Sequence, residues 1–464
     1  MKIDKAFESA VEKYLGGNLK QAEILCKKSI KKNPTHSKAF YLLGTIYLKL
    51  KEYDIAIEYF SNALQSDNNN SDIYFNLGFV YTEKGHHDEA IKYYKKALQI
   101  NPDNSDVCNN IGMALLEKGK PKESLNYFQK TLEMNPALVD AHANMSLAFL
   151  LLGNFEQGWK EYEWRLKSRD YVGRTFSRPL WDGSDISGKI ILIHTEQGLG
   201  DAIQFIRYIP FVVEHEATII VECQKELVTL FQNITGIKQV VARGKPLLHF
   251  DFHCPLLSLP LIHGTTLETI PVDIPYITAN ASSIQEWKNK VNNNSSKLTI
   301  GLVWAGSPTL KRSHLKECPL KMFFPLTHNE DITFYSLQKG KAAEQANSPP
   351  DGMNLIDNTD EFHDFLDTAA FIENLDLVIS IDTAVAHLAG AMGKPVWTLL
   401  PFVPDWRWML NRKDSPWYPT MRLFRQPSPG DWKSVINNVR KELEKVIRDE
   451  TFMSKRDTKD KENQ

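Results

Sequence analysis

Cysteine is scarce and unpatterned. The five thiols, Cys26, Cys108, Cys223, Cys254 and Cys318, are odd in number and include no C-x-x-C pair. A disulfide framework is excluded, His and Cys spacings give no zinc site, and buried thiols in a reducing compartment are expected. An excess of one charge is also lacking: Lys+Arg 55 against Asp+Glu 57 leaves a net charge of −2. No global field draws the chain to nucleic acid, and no long basic run supplies a local one. No stretch reaches about 18 uncharged apolar residues, so no transmembrane segment is expected. The opening MKIDKAFESAVEKYLGG has no apolar signal core. A cytoplasmic location is the expectation, with peripheral contact at the inner membrane left open. What remains, 42% hydrophobic and 24% charged residues over 464 positions, is ordinary globular composition with room for about three domains.

Glycine recurs at 44, 78 and 112, a fixed period of 34. Around the first two, Phe40, Leu43, Tyr47, Ala56, Phe60 and Ala63 align with Tyr74, Leu77, Tyr81, Ala90, Tyr94 and Ala97. The third copy is looser, keeping Gly112 and Phe128 with Ser124 in an alanine slot. Such a period marks a helix–turn–helix solenoid. The frame extends back to residue 3 and forward through units starting at 37, 71, 105 and 139. Small residues such as Gly44 and Ala56 belong where helices cross closely, and Pro102 and Pro136 end second helices. The pattern resembles tetratricopeptide repeats. A degenerate last unit runs through Trp159, Tyr162, Trp164 and Arg165, aromatics expected to pack against the next domain. The solenoid is bounded at residues 3–167, and a turn-rich linker at 168–187 contains Trp181.

Beyond the linker the period changes. KIILIHTE, ATIIVEC and KQVVA read as strands separated by helical patterns, and VDIPYI closes that unit near residue 277. The expected bounds are residues 188–280. A polar stretch, 280–297, crosses to a second alternating set at 297–448: LTIGLVWAGS, ITFYSLQKG, NLID, DLVISID and PVWTLLP as strands, and a closing helix from about 431 to 448. Strand–helix alternation implies two Rossmann-like domains with parallel sheets. The tail, 449–464, is expected to be disordered.

Ligands of open parallel sheets lie beyond the carboxyl ends of the strands. Two strand-to-helix turns qualify. In Glu196-Gln197-Gly198-Leu199-Gly200-Asp201 the glycines permit a tight turn, and Asp201 stands at a helix start, where a plain N-cap is the simpler reading. A dinucleotide fingerprint fails at Ile203. In Ser380-Ile381-Asp382-Thr383-Ala384-Val385-Ala386-His387, free N–H groups at Thr383 and Ala384 could hold a phosphate, with His387 a turn away. A cap for Asp382 and a satisfied buried histidine are equally good readings. Ser307, Lys311 and Arg312 come after one strand as a candidate clamp, or as a solvated loop. Gln338 ends the next strand, where a base or ribose could be read. Asp405-Trp406-Arg407-Trp408 with Trp417-Tyr418 reads as core or interface. No G-x-S-x-G elbow, G-x-x-x-x-G-K-[ST] loop or D-x-D after a strand is present.

ILIHTEQGLGDAIQFIRYIP and LVISIDTAVAHLAGAMGKPVWTLLP together resemble the two halves of the heptosyltransferase family, glycosyltransferase family 9. WYPTMRLFRQ and GDW resemble a subgroup carrying tetratricopeptide repeats. The resemblance implies an α plus α/β architecture: an N-terminal repeat solenoid followed by a GT-B pair of Rossmann-like domains. It implies metal-independent transfer from a nucleotide sugar to an acceptor hydroxyl, with no cofactor. Asp201 would be the general base. Gly198, Gly200, Ser307, Lys311, Arg312, Gln338, Asp382, Thr383, Ala384 and His387 would bind the donor. Ala384 departs from the family, which commonly has glycine there. The expected acceptor is a polypeptide held in the repeat groove, hence protein glycosylation. Two alternatives stand beside it: a lipopolysaccharide or other glycan transferase, and a non-enzymatic repeat scaffold with a degenerate transferase domain.

Overall fold

The computed structural model describes residues 4–168, 171, 174, 176–291, 298–307, 316–327 and 331–448. The chain divides into two compact units, Met1–Leu152 and Gly153–Gln464.

The first unit is helical. Its elements are α1 (Lys5–Leu15), α2 (Leu19–Lys32), α3 (Ser37–Lys49), α4 (Tyr53–Ser66), α5 (Ser71–Glu83), α6 (His87–Ile100), α7 (Ser105–Glu117), α8 (Pro121–Met134) and α9 (Val139–Leu151). The starts at 37, 71, 105 and 139 keep the period of 34. Asparagine side chains cap three first or second helices: Asn18 accepts from Gln21 N, Asn70 from Asp72 N and Asn104 from Val107 N. Each satisfies an amide that a helix start leaves unpaired.

The repeated glycines have one cause. A Cβ at Gly44 would stand 2.6 Å from the Phe60 ring, at Gly78 2.5 Å from Tyr94, and at Gly112 2.4 Å from Phe128. Each ring is fully buried. Removing such a ring from water is worth roughly 4–6 kcal/mol, from ~150–250 Å² at ~25 cal/mol per Å². The turn between the helices of each unit is equally periodic. Gly17, Gly85, Gly119 and Gly153 have φ between 71° and 81°, and Lys51 takes the same left-handed conformation at φ 62°.

The second unit opens with α10 (Phe155–Tyr162). Its first sheet has β1 (Ile190–His194), β2 (Thr218–Cys223), β3 (Ile237–Ala242) and β4 (Phe252–Pro255) in the order β3-β2-β1-β4. The second has β5 (Leu298–Val303), β6 (Ile332–Ser336), β7 (Leu355–Asp357), β8 (Leu377–Ile381), β9 (Val396–Leu400) and β10 (Met421–Arg425), in the order β10-β9-β8-β5-β6-β7. Every pairing is parallel. Covered on both faces, these strands read as apolar runs rather than alternations. Ile300, Leu302, Phe334, Ile379 and Leu399 share a core with Val435, Ile436 and Val439 of the closing helix Trp432–Arg448.

Some local readings change. The first sheet has a fourth strand, Phe252–Pro255, beyond the three read from sequence. It is short and ends in proline, so it carries little periodic signal. The polar stretch after residue 280 contains a helix, Ala281–Val291, because Trp287 finds Phe362 and Phe371 at ring-centroid distances of 5.2 and 5.1 Å. Within 168–187, Trp181 is buried and its backbone N–H donates to His253 O at 2.8 Å. The tail, 449–464, lies outside the described residues.

Candidate functional site

The two turns singled out in the sequence meet in space. β1 ends at His194, and the helix Leu199–Phe205 starts soon after, with Gly198 as its N-cap. Asp201 therefore stands at the third helical position and reaches back, its Oδ2 accepting from Gly198 N at 2.8 Å. β8 ends at Ile381, and Thr383 caps the helix Ala384–Ala391. A Cβ on Gly200 would lie 2.8 Å from His387 Cδ2 and 3.5 Å from Ala384 Cα. The two helix starts are thus in van der Waals contact, and glycine at 200 is what lets them approach.

Around this contact runs a chain of charges. Arg407 is buried and holds three acceptors: Asp201 Oδ1, Asp405 Oδ1 at 2.9 Å through NH1, and Gln204 Oε1. Its guanidinium lies 4.3 Å from the centre of the Trp406 ring. Lys316 Nζ donates to Asp382 Oδ2 at 3.1 Å, and its pKa is raised, chiefly by that carboxylate. Burial raises the Asp201 carboxyl although Arg407 opposes it. For Asp405, Arg407 and Lys316 outweigh burial, and its pKa falls. Burial lowers His387 to about 4, so it is neutral near pH 7. Its Nδ1 lies 2.9 Å from the Tyr418 hydroxyl, and its ring stacks on Trp408 at 5.2 Å.

The remaining predicted residues are placed as follows. Gln338 is buried, and both ends of its amide are used. Oε1 accepts from Trp304 N and Ala305 N at 3.0 and 2.8 Å, and Nε2 donates to Ala305 O and Lys339 O at 3.1 and 2.9 Å. It pins the ends of β5 and β6 together. Thr383 shares a hydrogen bond with Ser380 at 2.9 Å. Ser307 is exposed at the end of the loop after β5. Lys311 and Arg312 lie outside the described residues.

A second buried charge cluster was not anticipated from sequence. Arg165 Nε donates to Glu196 Oε1 at 2.9 Å and NH2 to the same oxygen at 2.6 Å, while NH2 also reaches Ser258 Oγ at 2.8 Å. Glu196 Oε2 is buried without a hydrogen-bond partner among the described residues. Burial raises this carboxyl to about 7, which suits a proton on the orphaned oxygen. The signal was available: Arg165 and Arg407 each interrupt an aromatic run, and a cation there needs a buried acid. The aromatics behave as expected of packing. Trp159 Nε1 donates to Thr265 O at 3.1 Å, and its ring stands 5.3 Å from Trp406.

In the first unit, Phe7, Val11, Lys38, Tyr41, Leu42 and Asp72 border a cavity of about 310 Å³. They belong to α1, α3 and α5, the first helices of successive repeats. The cavity therefore lies on the face where those helices stand side by side.

Comparison with known proteins finds repeat models within this unit and a curated relative whose likeness extends beyond it. Residues 37–70 and 71–104 match one tetratricopeptide-repeat model, and residues 93–126 match a second. The chain contains a tetratricopeptide-repeat solenoid, followed by an α/β region with two parallel sheets. Protein FlbA of Caulobacter vibrioides is 26% identical over 319 residues, 62% of this chain and 52% of that protein. The chain thus spans about half the length of this curated relative. Among solved structures, PilF of Pseudomonas aeruginosa is 23% identical with a TM-score of 0.34, covering 37% of this chain and 77% of that one. YrrB, described as a TPR protein with an unusual peptide-binding site, is 22% identical with a TM-score of 0.30, covering 35% and 82%.

These findings correct the expectation of a glycosyltransferase, whether its acceptor is a polypeptide or a glycan. The family models that match are repeat models. Asp201 has one oxygen engaged by Arg407 and the other by Gly198 N. Transferase activity, nucleotide-sugar binding and protein glycosylation are accordingly withdrawn. No described helix is long and apolar enough to cross a membrane.

Proposed function

We propose that the chain is a non-enzymatic repeat scaffold that holds a polypeptide partner along the first helices of its solenoid. The α/β region is read as a degenerate, heptosyltransferase-like GT-B pair whose former site has become a structural lock of buried ion pairs. The divisions at 3–167, 188–280 and 297–448 belong to this reading. So does the role of Asp201, Asp382 and His387 as packing residues. A cytoplasmic site of action is also part of it, supported by five free, buried cysteines.

One observation carries the proposal. The repeat face offers an open cavity bordered by aromatic and polar side chains, whereas the groups expected to do chemistry are engaged with one another. Stacked repeats present a continuous concave surface suited to an extended chain. The test is a photo-crosslinking residue at Phe79, an apolar side chain 37% exposed on α5. The expected result is a discrete polypeptide adduct in cells, unchanged by Asp201→Asn. Transfer from a labelled nucleotide sugar by the wild type, abolished by Asp201→Asn, would overturn the proposal.

A further inference from the structure

The strand at the edge of an open sheet leaves a row of main-chain N–H and C=O groups unpaired, and such a row is a template for another strand. The two sheets have four edges, formed by β3, β4, β7 and β10. Three of them are covered or short. Along β4, His253 N donates to Pro179 O at 3.1 Å and Trp181 N to His253 O at 2.8 Å, with Leu180 as the bridge between them. Along β10, Leu423 N donates to Lys413 O at 2.8 Å beside a bridge from Asp414 to Arg422. β7 has only three residues.

The remaining edge is open. β3 has six residues, contains neither proline nor glycine, and pairs on one side only, with β2. Just past its end, Arg243 N donates to Cys223 O at 2.7 Å. Main-chain groups alternate in direction along a strand, so those of Val240 and Ala242 turn away from β2. Lys238 falls at a register shift and is matched with no residue of β2. Among the described residues, no hydrogen bond outside the ladder reaches the main chain of Lys238 or Val240. Ala242 O accepts from Lys245 N at 3.1 Å and keeps a second lone pair.

We propose that β3 is the pairing strand of a homodimer, in which two copies lie antiparallel, edge to edge, about a twofold axis through Val240. The open groups select a second copy because they are symmetric about that residue. The twofold sets Val240 against Val240 and Lys238 against Ala242. Outward donors then meet outward acceptors, in about six main-chain hydrogen bonds. The two β-branched Val240 side chains meet across the axis. Lys238, the one charge in the strand, does not oppose itself. The two copies of it stand four residues apart along the strands, ~13 Å at ~3.3 Å per residue, beyond the ~8 Å screening length of physiological salt. A contact of this kind closes on itself and gives a dimer with no larger assembly. It is independent of the scaffold reading, and joins two solenoids into one bivalent unit.

The measurement is sedimentation velocity of the full-length protein from about 1 to 100 μM, where a dimer fraction rising with concentration is expected. Val240→Pro removes an outward N–H that the ladder to β2 does not use. It is expected to weaken the dimer at least about tenfold, with the melting transition unchanged. Cysteine crosslinking is the second readout, since the five native thiols are buried. Facing residues of a hydrogen-bonded antiparallel pair have Cα atoms ~5.5 Å apart. Val240→Cys is therefore expected to join into a covalent dimer with a short methanethiosulfonate crosslinker, and Lys238→Cys to stay single. A monomer at every concentration, a dimer that Val240→Pro leaves as tight, or crosslinking at 238 in preference to 240 overturns the inference. If Val240→Pro unfolds the strand, the two cysteine variants decide alone.

Discussion

Arg407→Met removes the cation that separates two carboxylates. Arg407 has a side chain 6% exposed, against 21% for Asp201 and 28% for Asp405. Breaking a buried pair by deleting one partner costs about 3–5 kcal/mol. The carboxylates retain some solvent, so the low end, ~3 kcal/mol, is the estimate. At roughly 2–4 °C per kcal/mol for a domain of this order, the α/β transition falls by ~6–12 °C. The loss depends on pH with a definite sign. Without Arg407 the Asp201 carboxyl sits in a buried site beside the like charge of Asp405, so its folded pKa lies further above its unfolded one. Such a group favours the folded state when protonated, so the variant regains stability as pH falls through the folded value and loses it as pH rises. Thermal unfolding of wild type and variant near pH 5 and near pH 8 measures this. Adding Asp201→Asn and Asp405→Asn to Arg407→Met is expected to recover much of the loss at the higher pH. A shift under ~2 °C, or one that ignores pH and is not rescued, would refute the lock.

Glu196 has a folded pKa raised to about 7 from 4.5, so its protonation favours the folded state: stability falls as pH rises between about 4.5 and 7 and is flat above. Glu196→Gln is expected to flatten that slope in a series of thermal melts. Gly78→Ala places a methyl 2.5 Å from the Tyr94 ring. Overpacking of about 1–3 kcal/mol outweighs a helix-propensity gain near 1 kcal/mol, and in a Tyr94→Leu background the same change turns stabilising. Hydrogen exchange of the α5 and α6 amides reads both signs. Lys51→Gly relieves a left-handed residue and is expected to stabilise its repeat by about 0.5 kcal/mol, once the added freedom of the unfolded chain is subtracted. Protection of the α3 and α4 amides is the measurement.

The repeats were legible because their constraints are local. Gly44, Gly78 and Gly112 face rings only sixteen residues away, within a single helical hairpin, so the requirement recurs wherever the hairpin recurs. β5, β8 and β9 were equally plain, being apolar runs of central strands. Phe252–Pro255 was not: four residues carry no period, and pairing with β1, with a bridge from Leu180, makes them a strand. Helix Ala281–Val291 hid for a related reason, since Trp287 and Val291 are its only buried residues.

For the candidate site the division is sharper. Asp201 and His387 were both singled out from sequence, and the fold does bring their helices together. The sequence around each turn could not tell what else would arrive. Arg407 stands more than two hundred positions from Asp201, and nothing near either residue encodes their pairing. The chain by itself determined a solenoid of 34-residue period and two parallel sheets, because hairpin packing and strand hydrophobicity act over short separations. Only the tertiary structure decided that the acid at the first turn answers to a buried guanidinium, because charge pairing depends on distance in space.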